Sequence, residues 1–179
     1  KRCEIDGILT FTDSGVVTAG YVADQLGLPM PGPYESIQIL QNKGLFRKFL
    51  AEHGFNVPKA KSYFSAEQAW GERDEWQYPV IVKPVDSAGS KGVTKVDLSE
   101  KLLDAIHFAL EFSISGEFII EAWIEKDGCS SDSDCFSLNG EFQILTYSSQ
   151  RFDSEAANPY APAAFSWPST MGEKVENEL

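Results

Sequence analysis

The sequence predicts an α/β fold that carries a compact α+β layer in its second half. Two observations set that expectation. Apolar runs of strand length, Val80 to Lys83 and Phe118 to Ile124, flank an amphipathic stretch from Glu100 to Phe112, with Leu102, Leu103, Ile106 and Leu110 at helical spacing. An Asn139-Gly140 pair then separates two further strand-like runs, and Asn-Gly suits a type I′ hairpin turn. With 179 residues, 42% of them hydrophobic, the chain can bury a core as one domain or two small ones.

Taken in order, Ile8 to Thr12 reads as a short buried strand ending at the turn Thr12-Asp13-Ser14-Gly15. Val16 to Leu26 has helical spacing, with Val17, Tyr21, Val22 and Leu26 on one face and Gly27 as C-cap. Leu28-Pro29-Met30-Pro31-Gly32-Pro33 excludes helix and ladder alike, so it is a linker. Helices follow over Tyr34 to Leu40 and Lys43 to His53, the latter closed by Gly54, and Asn56-Val57-Pro58 leads out. Ser65-Ala66-Glu67-Gln68 has capping-box character for a short helix reaching Trp70. Next come the strand Val80 to Lys83, a small-residue loop, a strand over Thr94 to Val96, and the long helix capped by Ser99. The strand Phe118 to Ile124 and a hairpin, Asp134 to Leu138 with Glu141 to Tyr147, complete one antiparallel sheet under one helix.

A formal charge of −12 argues against nucleic acid as a partner and requires any polyanion site to gather its cations locally. No run approaches the ~18 apolar residues of a membrane span, and no signal peptide opens the chain, so no membrane and a cytoplasmic location are expected. Cys3, Cys129 and Cys135 lack zinc-site spacing, and free thiols are the simplest account, with a local Cys129–Cys135 disulfide as the alternative. Lys1-Arg2-Cys3 without an initiator methionine, and a helix-like tail from Met171 to Leu179, suggest a piece of a longer protein. Exposed surface left by such an excision makes a homodimer an expectation too.

The chemistry concentrates at residues 77 to 96. Ser87-Ala88-Gly89-Ser90-Lys91-Gly92 is a loop whose small residues let backbone N–H groups approach an anion, and Lys83 stands at the end of the preceding strand. Lys43, at a helix start, supplies a second cation. A helix N-terminus repels a lysine, which favours a phosphate role for it. The loop has neither Walker A spacing nor a GxGxxG pattern, and an ordinary turn with solvated lysines is the alternative. Glu121, at the end of an apolar strand, reads by itself as an ordinary edge residue. Asp132 and Asp134 suit a solvated hairpin better than a metal pair. His53 and His107 are expected at the surface, and Trp70, Trp76 and Trp123 in the core.

The order Asn42-Lys43, then Pro79-Val80-Ile81-Val82-Lys83-Pro84, then the loop from Asp86 to Val93, then Ile119-Ile120-Glu121-Ala122-Trp123-Ile124-Glu125 resembles the ATP-grasp superfamily. Among its members, carboxylate–amine ligases of the biotin-carboxylase and carbamoyl-phosphate-synthase type are the nearest in pattern. The resemblance implies ATP and Mg2+ as cofactors and an ATP-dependent ligase as the parent protein. The carboxylate and amine substrates stay unnamed. A non-catalytic nucleotide-binding module and a small-molecule kinase of the same architecture are the alternatives.

On this resemblance Lys43 and Lys83 are the two phosphate lysines and the loop Ser87, Ala88, Gly89, Ser90, Lys91 and Gly92 is the flap. Glu121 is the hinge acid facing the adenine amino group. Ala122 and Ile124 offer backbone groups to the adenine edge, with Val80, Val82 and Ile120 as purine walls. Cys129 and Ser130 stand where relatives carry a ribose-binding Glu, Gln or His, and Ser130 is the candidate contact. The implied layout is a remnant of a Rossmann-like domain and linker over 1–33, a helical segment over 34–75, a lid over 76–146, and the start of the main grasp sheet over 147–179. No catalytic residue is assigned within the chain, and the family's magnesium ligands are expected outside it, which leads us to expect the piece alone to be inactive.

Overall fold

The computed structural model describes residues 4–126 and 128–177. They fall into two compact units, divided in the chain between Trp123 and Ile124. The fold is mixed α and β, as the sequence predicts.

The first unit opens with helix α1 (Asp13–Leu26), closed by Gly27 in the left-handed region at φ 63°. Helices α2 (Tyr34–Gln41) and α3 (Lys43–Glu52) follow, with Gly54 at φ 80° just beyond the end of α3. A strand β1 (Ala60–Tyr63) leads to α4 (Ala66–Gly71), whose N-cap Ser65 accepts a bond from the Gln68 N–H. Strands β2 (Val80–Pro84) and β3 (Thr94–Val96), helix α5 (Leu102–Phe112) and strand β4 (Phe118–Ala122) complete the unit. Its four strands form one antiparallel sheet in the order β1-β4-β2-β3.

Register explains which residues make the core. Val80, Val82 and Pro84 of β2 lie opposite Ala122, Ile120 and Phe118 of β4, so these side chains share one face. That face is packed against Leu102, Ala105, Ile106 and Ala109 of α5, with Tyr63 stacked on Phe118. Trp76 is buried and Trp70 packs partly against the same cluster. The opposite face carries Ile81 and Lys83 of β2 and Ile119 and Glu121 of β4.

The second unit contains β5 (Ser131–Leu138), β6 (Glu141–Phe152), β7 (Pro162–Ser166) and the short helix α6 (Glu173–Glu176). The three strands form a separate antiparallel sheet in the order β5-β6-β7. Asn139 and Gly140 both take positive φ, 54° and 83°, as the hairpin reading requires.

Several sequence expectations are corrected. Ile8 to Thr12 forms no strand, because no described strand pairs with it; Phe11 is 96% exposed, and the Thr10 hydroxyl instead accepts from the Thr12 N–H. The edge strand β1 was not expected. Ala-Lys-Ser-Tyr has little strand preference of its own, and pairing with Phe118 to Glu121 imposes it. Ser99 begins a 3-10 turn rather than capping the long helix, which starts at Leu102. The inward face of α5 is Leu102, Ala105, Ile106 and Ala109, with Leu103 and Leu110 only partly buried. The hairpin β5–β6 pairs with β7 and not with the sheet under α5.

Candidate functional site

The site is built on the sheet face turned away from α5. Lys83 is the fourth residue of β2, so its side chain points to the same side as Ile81 and away from the core that holds Val80 and Val82. Val80, Val82 and Ile120 are fully buried against α5 and so offer no surface to a purine; on the Lys83 face Ile119 is buried as well, at 1% exposed, and Ile81 is partly exposed.

Lys43 arrives from the start of α3. Asn42 caps that helix by accepting from the N–H groups of Gly44 and Leu45 at 2.8 and 3.0 Å. Its amide also donates to Glu117 at 3.1 Å, which ties the helix start to the segment before β4. The Lys43 backbone N–H donates to the Val85 carbonyl at 3.0 Å. Gly44 is needed for close approach: a Cβ there would collide with the Ser62 hydroxyl of β1. With the helix held this way, the Lys43 ammonium donates to the carbonyl of Ser87 at 2.7 Å and to that of Val85 at 3.4 Å. Burial and the neighbouring Lys83 charge hold its pKa below the ordinary lysine value.

The loop from Ser87 to Gly92 is anchored at both ends. Before it, Asp86 accepts from the Ser115 N–H at 2.7 Å, the Ile114 N–H at 3.0 Å and the Ser113 hydroxyl at 3.1 Å. Burial raises the Asp86 pKa, but those donors outweigh it and leave the acid below its usual range. After the loop, Gly92 sits at φ 70° so close to α5 that an added Cβ would stand 3.1 Å from Phe112 and 3.2 Å from the Ala109 Cα. Between the anchors, Gly89 at φ 66° and Ser90 at φ 55° are left-handed, and Lys91 stands exposed at the tip.

Glu121 is the third charged element. It is 3% exposed, and both carboxylate oxygens are engaged by cations. Arg47 Nε donates to Oε1 at 2.8 Å and Lys83 Nζ donates to Oε2 at 2.6 Å. Burial alone would raise the Glu121 pKa, but Lys83 and Arg47 overcome that and hold it below the ordinary carboxylate value. Arg47 escaped the sequence reading. It lies four residues after Lys43 on α3, hence on the same helix face, and that spacing was the available signal.

The structure therefore gathers Lys43, Lys83, Glu121 and the base of the 87–92 loop in the first unit. Ala122 ends β4, where its N–H donates to the Lys59 carbonyl at 2.8 Å. Ile124 and Ser130 belong to the second unit, where Ile124 is exposed and the Ser130 carbonyl accepts from Gln150 at 2.8 Å. His53 and His107 are exposed, as expected. Among the described residues no three His, Cys, Asp or Glu side chains converge as metal ligands, and no helix is long and apolar enough to cross a membrane.

Known proteins resemble most of this chain in sequence or fold. A family model described as an ATP-grasp domain matches residues 40–178. A carbamoyl phosphate synthase large chain of a Thermoanaerobacter species is 28% identical over 111 residues, 60% of this chain and 10% of that protein. A D-alanine–D-alanine ligase of Natranaerobius thermophilus is 29% identical over 160 residues, 79% of this chain and 42% of that protein. This chain thus spans less than half the length of either relative. Among solved structures, the VanG D-Ala:D-Ser ligase of Enterococcus faecalis has a TM-score of 0.75 at 23% identity, covering 93% of this chain and 50% of its own. A biotin carboxylase of Campylobacter jejuni has a TM-score of 0.72 at 15% identity, covering 96% of this chain and 39% of its own. With the family model matching well over half of its length, and the two lysines and the loop assembled as described, the chain belongs to the ATP-grasp family.

Proposed function

We propose that this chain holds the triphosphate of ATP for a carboxylate–amine ligase. The carrying observation is the convergence of Lys43 and Lys83 at the base of a doubly anchored, left-handed loop. In a chain of charge −12, that is a local gathering of positive charge at the place a polyphosphate requires. The residues present fit a nucleotide. Lys43 and Lys83 neutralise phosphate oxygens, the 87–92 loop covers them and excludes water, and Ile81 offers apolar surface on the same sheet face. Membership of the ATP-grasp family, and no geometry between the two units, is what supports Ala122 and Ile124 as adenine-edge residues and Ser130 as a ribose contact.

In the reaction assigned to the parent protein, a substrate carboxylate oxygen attacks the γ-phosphorus and ADP departs. An amine then attacks the resulting acyl phosphate, expels phosphate and forms an amide. The relatives named above, ligases among them, support this class of reaction. The residues described do not make a magnesium site, so no step is assigned to that ion here.

Calorimetric titration of ATP, with and without magnesium, into this chain and its Lys83→Ala variant tests the reading. Binding by the parent chain that weakens at least tenfold in the variant is expected, on the order of one charge-assisted contact. Equal binding by both proteins, or binding by neither, refutes it for this chain.

A further inference from the structure

The Lys83–Glu121–Arg47 cluster holds one carboxylate and two cations. The Glu121 side chain is 4% exposed, Lys83 17% and Arg47 29%. The two cations use different oxygens of the acid, so neither excludes the other. While Lys83 stays bound to Glu121 Oε2, the carboxylate offsets much of the charge it would offer a triphosphate and takes one of its three N–H donors. Its departure would strand a buried carboxylate unless another cation remained on it. Arg47 is that cation. It comes from α3 and not from the sheet, donates through Nε to the other oxygen, and keeps a fixed planar geometry that a lysine lacks.

We propose that Arg47 is a positioning residue that keeps Glu121 charged and in place, so that Lys83 can be handed from the acid to the triphosphate. This rests on the triphosphate reading of Lys83 given above. Glu121 and Arg47 together form a holding site for the ammonium while no nucleotide is bound. Arg47 does not touch the phosphates; it acts through Glu121. With Arg47 absent, Lys83 becomes the sole partner of a buried acid and is held back from the ligand. With the carboxylate also absent, nothing holds it back.

The test is a double-substitution cycle. Arg47→Met is expected to weaken ATP binding by about tenfold or more although Lys83 is untouched. Adding Glu121→Gln to Arg47→Met is expected to bring the reactivity of Lys83 back to at least the parent level, a rescue that damage to local packing would not allow. A second readout needs no nucleotide: the rate at which Lys83 is modified by an amine-acylating reagent, followed by peptide mass spectrometry. That rate falls in Arg47→Met and rises in Glu121→Gln. Unchanged acylation in both variants, or a double variant in which Lys83 is acylated no faster than in Arg47→Met, overturns the proposal. Should the parent chain bind no ATP, the triphosphate reading fails by itself, and the acylation rates still decide whether Arg47 governs Lys83.

Discussion

Lys43→Met separates a residue that serves the ligand from one that serves the fold. The substitution keeps the apolar stem and removes the ammonium with its two carbonyl contacts. The 2.7 Å bond to Ser87 is a charge-assisted contact of about 1.5–3 kcal/mol, and the 3.4 Å bond to Val85 adds little. Against this stand the desolvation of the ammonium and its repulsion by Lys83, the two effects that lower its pKa. The Val85 carbonyl keeps a partner in the backbone N–H of residue 43, so it is not orphaned. The opposing terms are of similar size, and the net change in stability is expected within about 1 kcal/mol. ATP binding should instead weaken by roughly 10- to 100-fold, the worth of one charged contact. The pH dependence provides a check on sign. Because the folded-state pKa lies below 10.5, the unfolded chain binds more protons between the two values, so stability rises with pH in that window. Triphosphate prefers the charged lysine, so affinity falls as pH rises through the lowered pKa. Both slopes should diminish in the Met variant. Urea denaturation and calorimetry over a pH series measure them. A Met variant that loses more than about 3 kcal/mol of stability yet binds ATP normally would refute the reasoning.

Two further substitutions probe the loop anchor and the sheet face. Gly92→Ala places a Cβ at φ 70° against Phe112, Pro84 and Ala109, and should lower stability in urea by about 2–3 kcal/mol; a change under about 0.5 kcal/mol would show that the anchor yields. Val82→Ala removes fully buried volume beneath α5 and should cost about 2 kcal/mol of stability with ATP affinity unchanged. Ile81→Ala, one residue away on the Lys83 face, should do the reverse, weakening ATP binding several-fold with the smaller loss of stability. Identical behaviour of the two variants would contradict the assignment of faces.

The parts of the fold legible in the sequence were those with local causes. Gly27 after a periodic helix, Ser65 three residues before Gln68, and Asn139-Gly140 between strand runs each state their geometry in two to four residues. The parts that were not legible depend on partners far along the chain. Ala60 to Tyr63 becomes a strand because Phe118 to Glu121 lies beside it, and Ile8 to Thr12 fails to become one for want of a described partner. Lys43 and Lys83 were legible as cations beside a small-residue loop, but which neighbours faced them was not. An all-apolar strand such as Val80-Ile81-Val82 shows no alternation from which to read its inward face, so the burial of Val80 and Val82 against α5 was not legible. Arg47 lay hidden because a helical arginine is ordinarily solvated, and only the fold brings a buried acid within its reach.

The two lysines are stored in different ways, and the difference governs how each meets an anion. Lys43 rests on neutral carbonyl oxygens, which lose little when the ammonium turns to a phosphate and water takes its place. Lys83 rests on a charged oxygen shielded from water, so its release is opposed unless the acid has a second cation. A fold that used two carboxylates would hold both lysines rigidly and repel the triphosphate at close range. A fold that used none would leave two ammonium groups to repel each other with nothing between them. One buried acid, shared between Lys83 and Arg47 beside Lys43, avoids both outcomes. It lets positive charge persist in an acidic chain before the ligand arrives and leaves two lysines to meet it.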